Sequence, residues 1–237
     1  MRFSHFKVLT FDVVGTLIDF EKGLLDGFRS FGGPAARDLS DDDLFVPYIE
    51  ARHIYPGRSS QVMEDVYQHV AGKLGLDTSK GAATAFQAHV LNWPAFPDSA
   101  EALKRLRTRF RLVAMTNTDR VVFTSYAHTL GHPFHDGVTV DEVGIPKPDP
   151  RFFDFNRGRQ SAFGYKQEEI LHVAQSQYHD IGVARELGYS VCWIERRQGQ
   201  EGFGGTPVPK EVTKPDFHFP TLAALADAID EDFAANR

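Results

Sequence analysis

KVLTFDVVGTL, residues 7–17, is the stretch of sequence that decides the fold. Its first five residues are mostly apolar and lead into a turn, a pattern typical of a short strand that is covered on both faces. Asp12 comes directly after this run, and Gly15 marks a tight turn behind it. The stretch therefore predicts a buried strand that presents one carboxylate at its carboxyl end, where Asp12 is a candidate nucleophile.

Three further runs have the same character, and helical patterns separate them. The predicted strands are residues 7–11, 111–115, 170–174 and 190–194. The apolar periodicity predicts helices over residues 98–109, 119–130, 150–163 and 178–187, and a last helix from Pro220. Strands that alternate with helices imply parallel pairing. We therefore predict an α/β fold with a doubly wound parallel sheet.

A long interval after the first strand interrupts this alternation. It contains four helical periodicities, near residues 24–31, 41–55, 60–74 and 78–93, and no strong strand signal. We interpret it as an inserted α-helical cap over residues 20–95, and we assign the core to residues 1–19 and 96–237. Two prolines stiffen the return linker between Trp93 and Pro97, where a hinge would let the cap open and close.

Composition narrows the classes of partner. The 237 residues carry a formal net charge of −6, which provides no basic field for a polyanion and argues against nucleic acid. No run approaches the roughly 20 apolar residues that span a bilayer. The single cysteine, Cys192, which we place in the core, suits a reducing compartment. We expect a cytoplasmic protein without membrane or nucleic-acid partners, one that captures a small anionic substrate with local groups.

Polar residues cluster in four segments of the predicted core, and in a doubly wound sheet the carboxyl ends of the strands share one crevice. Taken singly, each segment is more simply explained as a turn or a helix cap. Their order and spacing along the chain favour one shared site. The four segments are Asp12 with Thr16, Thr116 with Asn117, Lys147-Pro148-Asp149-Pro150, and Gln175-Ser176 with Asp180.

These segments resemble the motifs of the haloacid dehalogenase superfamily. The motifs appear in the expected order as FDVVGTL at 11–17, MTN at 115–117, KPDP at 147–150, and VAQS at 173–176 with Asp180. The resemblance spans the chain and implies a Rossmann-like core with a helical cap where this chain has its long insert. Within the superfamily the chain is most similar to the (S)-2-haloacid dehalogenase branch, type II, because it departs from the phosphatase pattern at two positions.

Both departures concern groups that phosphoryl transfer uses. Val14 stands where phosphatases of the superfamily have a second Asp as general acid, a group that contributes ~10²–10⁴-fold in rate, whereas a halide leaves as a stable anion. Gln175 replaces an acidic residue that helps magnesium-dependent members hold their cation, and Mg²⁺ prefers carboxylate ligands. The resemblance therefore implies cleavage of a carbon–halogen bond without a metal or other cofactor.

The mechanism that the resemblance implies is attack by Asp12 on the halogen-bearing carbon, followed by hydrolysis of the enzyme ester. Lys147 is expected to hold Asp12 ionised, while Ser176 and Asp180 position the water. Arg52 of the cap is expected at the halide end, with Arg58 as second choice, although a solvated helix residue is an equal interpretation of Arg52. The implied catalytic residues are Asp12, Thr16, Lys147, Ser176 and Asp180, and the implied substrate contacts are Val13, Val14, Arg52, Thr116, Asn117, Phe153 and Gln175.

Three other functions compete with this one. A magnesium-dependent phosphatase acting on a small phosphorylated metabolite would use Asp12 and Asp180 as metal ligands. Phosphonoacetaldehyde hydrolysis requires a cap lysine, and the chain has none between Lys22 and Lys73. A non-catalytic binding protein would have little use for an Asp and a Lys buried together, because burying both charges is costly. Dimers are common in the family, so a homodimer is a further expectation.

Overall fold

A computed structural model describes residues 2–235, and its centre is a six-stranded parallel sheet. The strands are β1 (Val8–Phe11), β2 (Arg111–Met115), β3 (Asp136–Val138), β4 (Ile170–Ala174), β5 (Ser190–Ile194) and β6 (Phe217–Phe219). Their order in the sheet is β3-β2-β1-β4-β5-β6. The predicted doubly wound α/β fold is confirmed, and the four predicted strands coincide with β1, β2, β4 and β5.

Helices fill the connections between the strands. Those between β1 and β2 are α1 (Phe20–Phe31), α2 (Asp41–Ile54), α3 (Ser59–Leu74), α4 (Lys80–Val90) and α5 (Ser99–Arg107). The later helices are α6 (Arg120–Thr129), α7 (Val140–Val143), α8 (Pro150–Ser161), α9 (Gly182–Glu186) and α10 (Leu222–Ala235). The regular helix predicted over residues 178–187 is instead a π-helical turn, Gln177–Ile181, that continues into α9.

The two outer strands, β3 and β6, are absent from the sequence prediction. Each has only three residues, and β6 is only partly buried, so neither shows the apolar run that indicates a strand. Gly137 in β3 weakens the signal further, but packing requires it. A Cβ at Gly137 would lie 2.6 Å from a ring carbon of Phe123.

The alternation of side chains along β1 divides its residues between the two faces of the sheet. Leu9 and Phe11 belong to the hydrophobic core on one face. Val8 belongs to a second core on the opposite face. Thr10 and Asp12 follow Val8 at intervals of two residues, so both project on the same face as Val8. The nucleophile candidate and a buried threonine therefore share one side of the strand.

The two segments that connect α1–α4 to the sheet lie side by side. Asp19 N donates to Pro94 O at 2.8 Å, and Phe96 N donates to Leu17 O at 3.0 Å. The division into a cap over residues 20–95 and a core remains a prediction, with these paired linkers as its proposed hinge. Within residues 2–235, no helix is both long enough and apolar enough to cross a bilayer.

Candidate active site

Two carboxylates meet at the centre of the sheet. Asp12 is the first residue after β1, and its N–H extends the strand ladder by donating to Val173 O at 3.1 Å. Asp180 lies in the π-helical turn that follows β4. Because β1 and β4 are neighbours where the strand order reverses, this is the point at which open α/β sheets form their binding crevice.

The turn after Asp12 fixes one oxygen of its carboxylate. Gly15 has φ +91°, a left-handed value that favours glycine, and this conformation brings Thr16 back towards Asp12. The Thr16 hydroxyl donates to Asp12 Oδ2 at 2.7 Å and accepts from Gln175 N at 2.8 Å. Thr16 therefore links the segment after β1 to the segment after β4.

Lys147 joins the two carboxylates. Its ammonium donates to Asp12 Oδ1 at 2.9 Å, to Asp180 Oδ1 at 2.6 Å and to the Met115 carbonyl at 2.8 Å. These three contacts use all three of its hydrogens. Lys147 is 2% exposed, so the cluster is shielded from solvent. Its charges therefore interact more strongly than they would in water.

Asn117 holds the backbone of Lys147 in place. Its Oδ1 accepts from Lys147 N at 2.7 Å, and its Nδ2 donates to Lys147 O at 2.9 Å. The neighbouring Thr116 hydroxyl accepts from Thr118 N at 3.2 Å. The side-chain amide of Asn117 is thus engaged with Lys147, so the predicted contact of Asn117 with substrate would have to use its backbone.

The segment after β4 presents Ser176 and Asp180. The Ser176 hydroxyl accepts from His179 N at 2.9 Å and begins the π-helical turn. Asp180 is fully buried, and its Oδ1 accepts from both Lys147 and His172. Its Oδ2 is also buried and has no hydrogen-bond partner among residues 2–235.

The shared ammonium shifts the pKa values of the cluster unequally. Burial raises the pKa of Asp12, and the charge of Asp180 raises it further, while Lys147 offsets only part of this effect. Burial also opposes ionisation of Asp180, but Lys147 and His172 outweigh it and lower that pKa to about 2. Lys147 thus favours the ionised form of Asp12, but it shares its charge with Asp180, and the pKa of Asp12 stays above the ordinary value. That Lys147 holds Asp12 ionised for attack remains a prediction.

A cavity of about 640 Å³ opens beside these groups. Four of the catalytic candidates line it, whereas Thr16 is fully buried behind Asp12. Those four are Asp12, Lys147, Ser176 and Asp180. Five of the predicted substrate contacts line it as well, namely Val14, Arg52, Thr116, Asn117 and Gln175. The structure thus brings together most of the residues that the motifs selected.

Arg52 and Arg58 both line the cavity, but their environments differ. Arg58 Nε donates to Asp141 Oδ1 at 2.6 Å, which neutralises its charge. Arg52 donates only to the carbonyls of Tyr55 and Gly57, at 3.5 and 3.3 Å, and has no carboxylate partner in the described part of the chain. Arg52 is therefore the cation better placed to meet an anionic substrate.

Two predicted substrate contacts lie outside the cavity. Phe153 is fully buried in the core under the sheet, with its ring edge-on to His172 at 5.3 Å. Val13 is fully buried in the core on the other face. Both expectations are corrected, because a motif gives the position of a residue along the chain but not the side of the backbone on which its side chain projects.

Some residues of the site carry no signal in the motifs. Tyr48 and Tyr126 line the cavity together with Trp93, which also begins the return linker of the predicted hinge. Trp93 stacks on Tyr126 with ring centroids 6.5 Å apart, so this wall is aromatic. His172 contacts Asp180 from behind, although nothing in the motifs identified it. Its signal was a polar residue in the middle of an otherwise apolar strand.

Comparisons with known proteins agree with this geometry. A family model described as haloacid dehalogenase-like hydrolase matches residues 6–188. The chain is 25% identical to haloacetate dehalogenase H-2 of Moraxella sp. (strain B), over 94% of this chain and 97% of that protein. It is 27% identical to (S)-2-haloacid dehalogenase of Pseudomonas fluorescens, over 80% and 84%. The structure of L-2-haloacid dehalogenase from Xanthobacter autotrophicus with covalently bound chloropropionic acid matches with a TM-score of 0.70 and 19% identity, over 95% of this chain and 98% of that one, which shows a shared fold.

Proposed function

The chain belongs to the haloacid dehalogenase-like hydrolase family, as its motifs predicted, and we propose that it hydrolyses the carbon–halogen bond of a small 2-haloacid through an ester on Asp12. The observation that carries the proposal is the buried cluster in which one ammonium, that of Lys147, lies between the carboxylates of Asp12 and Asp180. The names of its curated relatives support the substrate class.

The proposed reaction has two steps. An oxygen of Asp12 attacks the halogen-bearing carbon from the side opposite the halogen, so that the carbon–oxygen bond forms as the halide leaves with the bonding electrons. Water then attacks the carbonyl carbon of the ester, a proton passes through Asp180, and the 2-hydroxy acid departs with inverted configuration. Arg52 contacts the departing halide, and Val14 provides no proton donor there.

The cluster supports a reaction that needs no metal. A Mg²⁺ ion shared by Asp12 and Asp180 would compete with the ammonium of Lys147, which lies within 2.9 Å of both carboxylates. Gln175 adds only a neutral amide, and hard cations favour carboxylates. The donor set of these residues therefore fits a lysine better than a divalent ion, and no step of the proposed mechanism uses a metal.

A substrate panel tests this function against the phosphatase alternative. We expect halide release from chloroacetate or the (S)-2-chloro acids, unchanged by EDTA, because Lys147 supplies the positive charge. Phosphate esters such as phosphoserine should release no phosphate, since position 14 lacks a general acid. Halide and phosphate are measured for each substrate with EDTA and with added Mg²⁺. Release of phosphate that requires Mg²⁺, with no release of halide, would establish the phosphatase instead.

The pH dependence should reflect the raised pKa of Asp12. Only the ionised carboxylate attacks, so kcat/KM should fall as the pH drops through a value above the ordinary one of about 3.9 for aspartate. In Asp180→Asn, Lys147 serves Asp12 alone, so the acid limb of single-turnover halide release should move to lower pH. His179 also lines the cavity, and burial lowers its pKa to about 4, so it is a second group that could titrate in this range. His179→Asn is therefore the control, and its acid limb should lie at the same pH as that of the parent. A limb unmoved by Asp180→Asn would contradict this assignment.

A further inference from the structure

Thr10 and His172 are polar residues at the centre of the sheet that the catalytic motifs do not include. Both are fully buried within apolar strands, and the parallel register of β1 and β4 pairs them directly. Buried polar groups in native proteins are hydrogen-bonded, and a histidine at such a position costs stability that a valine or leucine would not. Their contacts show what the pair does.

The two residues form a chain of hydrogen bonds that ends on Asp180. Thr10 Oγ1 lies 2.9 Å from His172 Nδ1, and His172 Nε2 lies 3.0 Å from Asp180 Oδ1. A carboxylate can only accept, so Nε2 carries the hydrogen, and the Thr10 hydroxyl is able to donate to Nδ1. The network thus assigns the Nε2–H tautomer to His172. The ring of Phe153, edge-on at 5.3 Å, limits rotation of the imidazole.

This chain makes the two oxygens of Asp180 unequal. Oδ1 accepts from Lys147 at 2.6 Å and from His172 at 3.0 Å, whereas Oδ2 is buried and has no partner among residues 2–235. Burying a carboxylate oxygen without a hydrogen-bond donor costs free energy of folding, so we expect this oxygen to accept from a small bound molecule. Asp180 lines the cavity that contains Asp12, and a single water bound between the cavity and this oxygen is the smallest donor that would satisfy it.

We propose that His172 is a positioning residue that holds Asp180 Oδ1, so that Oδ2 accepts a proton from the water that attacks the Asp12 ester. The inference rests on the proposed function. Water adds to the carbonyl carbon as its proton passes to Oδ2. The bond from that carbon to the substrate oxygen then breaks, and the alkoxide recovers the proton as the 2-hydroxy acid leaves. Asp12 is left as the carboxylic acid and loses its proton to solvent, which regenerates the nucleophile. Halide departure precedes all of these events and does not use His172.

The test separates the two steps in single turnovers with excess enzyme. In His172→Leu, which fills similar space without a donor, halide release should change less than about 3-fold. Release of the 2-hydroxy acid should slow roughly 10- to 100-fold, the expected effect of losing a hydrogen bond to a charged group. The ester should accumulate and be visible in the mass of the intact protein. In His172→Gln, whose amide can replace Nε2–H, release of the hydroxy acid should be at least partly restored.

Thr10→Val gives a second variant that preserves shape. It removes the donor to Nδ1 and should slow the same step to a smaller extent, which keeps the test available if His172→Leu does not fold. Equal slowing of halide and hydroxy acid release, or no slowing of either, would overturn the inference. Nitrogen NMR of the His172 ring should show a hydrogen on Nε2 and none on Nδ1. A hydrogen on Nδ1 would reject the inference alone, whereas a parent protein that releases no halide would reject the proposed function.

Discussion

Asp12→Asn should abolish halide release, with a loss of at least roughly 10⁴-fold in kcat, because an amide oxygen is a poor nucleophile and removing a covalent nucleophile costs orders of magnitude. The fold should persist, since burial raises the pKa of Asp12 and an uncharged residue there avoids that cost. Halide release and thermal unfolding of the variant and its parent measure both effects. Asp154→Asn, an exposed site on α8, is the matched control and should retain activity.

Isotope labelling identifies the origin of the product oxygen. In a single turnover of the parent in H₂¹⁸O, the ester mechanism transfers an unlabelled Asp12 oxygen to the 2-hydroxy acid and leaves the label in the Asp12 carboxylate. Mass spectrometry of the product and of the peptide that contains Asp12 detects each. Label that enters the product in the first turnover would mean that water attacks the substrate directly, with Asp12 acting only as a base.

The sequence was sufficient for the parts of the fold that depend on local pattern. β1 and β4 have apolar runs because both of their faces are covered, and Asp12 follows one of them where parallel strands open their crevice. Lys147, more than 130 residues away, could be assigned to Asp12 only through the family motif. In the structure its ammonium is 2.9 Å from that carboxylate.

The sequence could not show in which direction a side chain projects or which charged groups pair with one another. The family resemblance implied a substrate contact for Phe153, but α8 directs its side chain into the core under the sheet. The contact of His172 with Thr10 depends on the register between neighbouring strands, which no local pattern encodes. Likewise, Arg58 pairs with Asp141 across 83 residues of sequence, whereas Arg52 has no carboxylate partner within residues 2–235. No local pattern distinguishes these two environments.

Lys147→Met should have the largest combined effect on stability and activity. The substitution leaves two carboxylates buried without a counter-charge, and breaking a buried pair in this way costs ~3–5 kcal/mol in the free energy of unfolding. Activity should fall by at least roughly 100-fold, because the pKa of Asp12 rises further and less of the nucleophile is ionised. Urea unfolding and halide release at neutral pH measure the two losses. Lys22→Met, at an exposed ion pair with Asp26, should change neither appreciably.

The pH dependence of this loss distinguishes charge from packing. In the parent the pKa of Asp180 is lowered to about 2, so its contribution to stability is present above the ordinary range and is lost as the pH falls towards 2. Without Lys147, both carboxylates should have raised pKa values, and the folded state should bind more protons than the unfolded one. The stability deficit of Lys147→Met should therefore shrink between pH 7.5 and pH 4.5, and adding Asp180→Asn should restore stability at pH 7.5 without restoring turnover. A deficit that is constant with pH and unaffected by Asp180→Asn would mean that Lys147 contributes through packing of its alkyl chain.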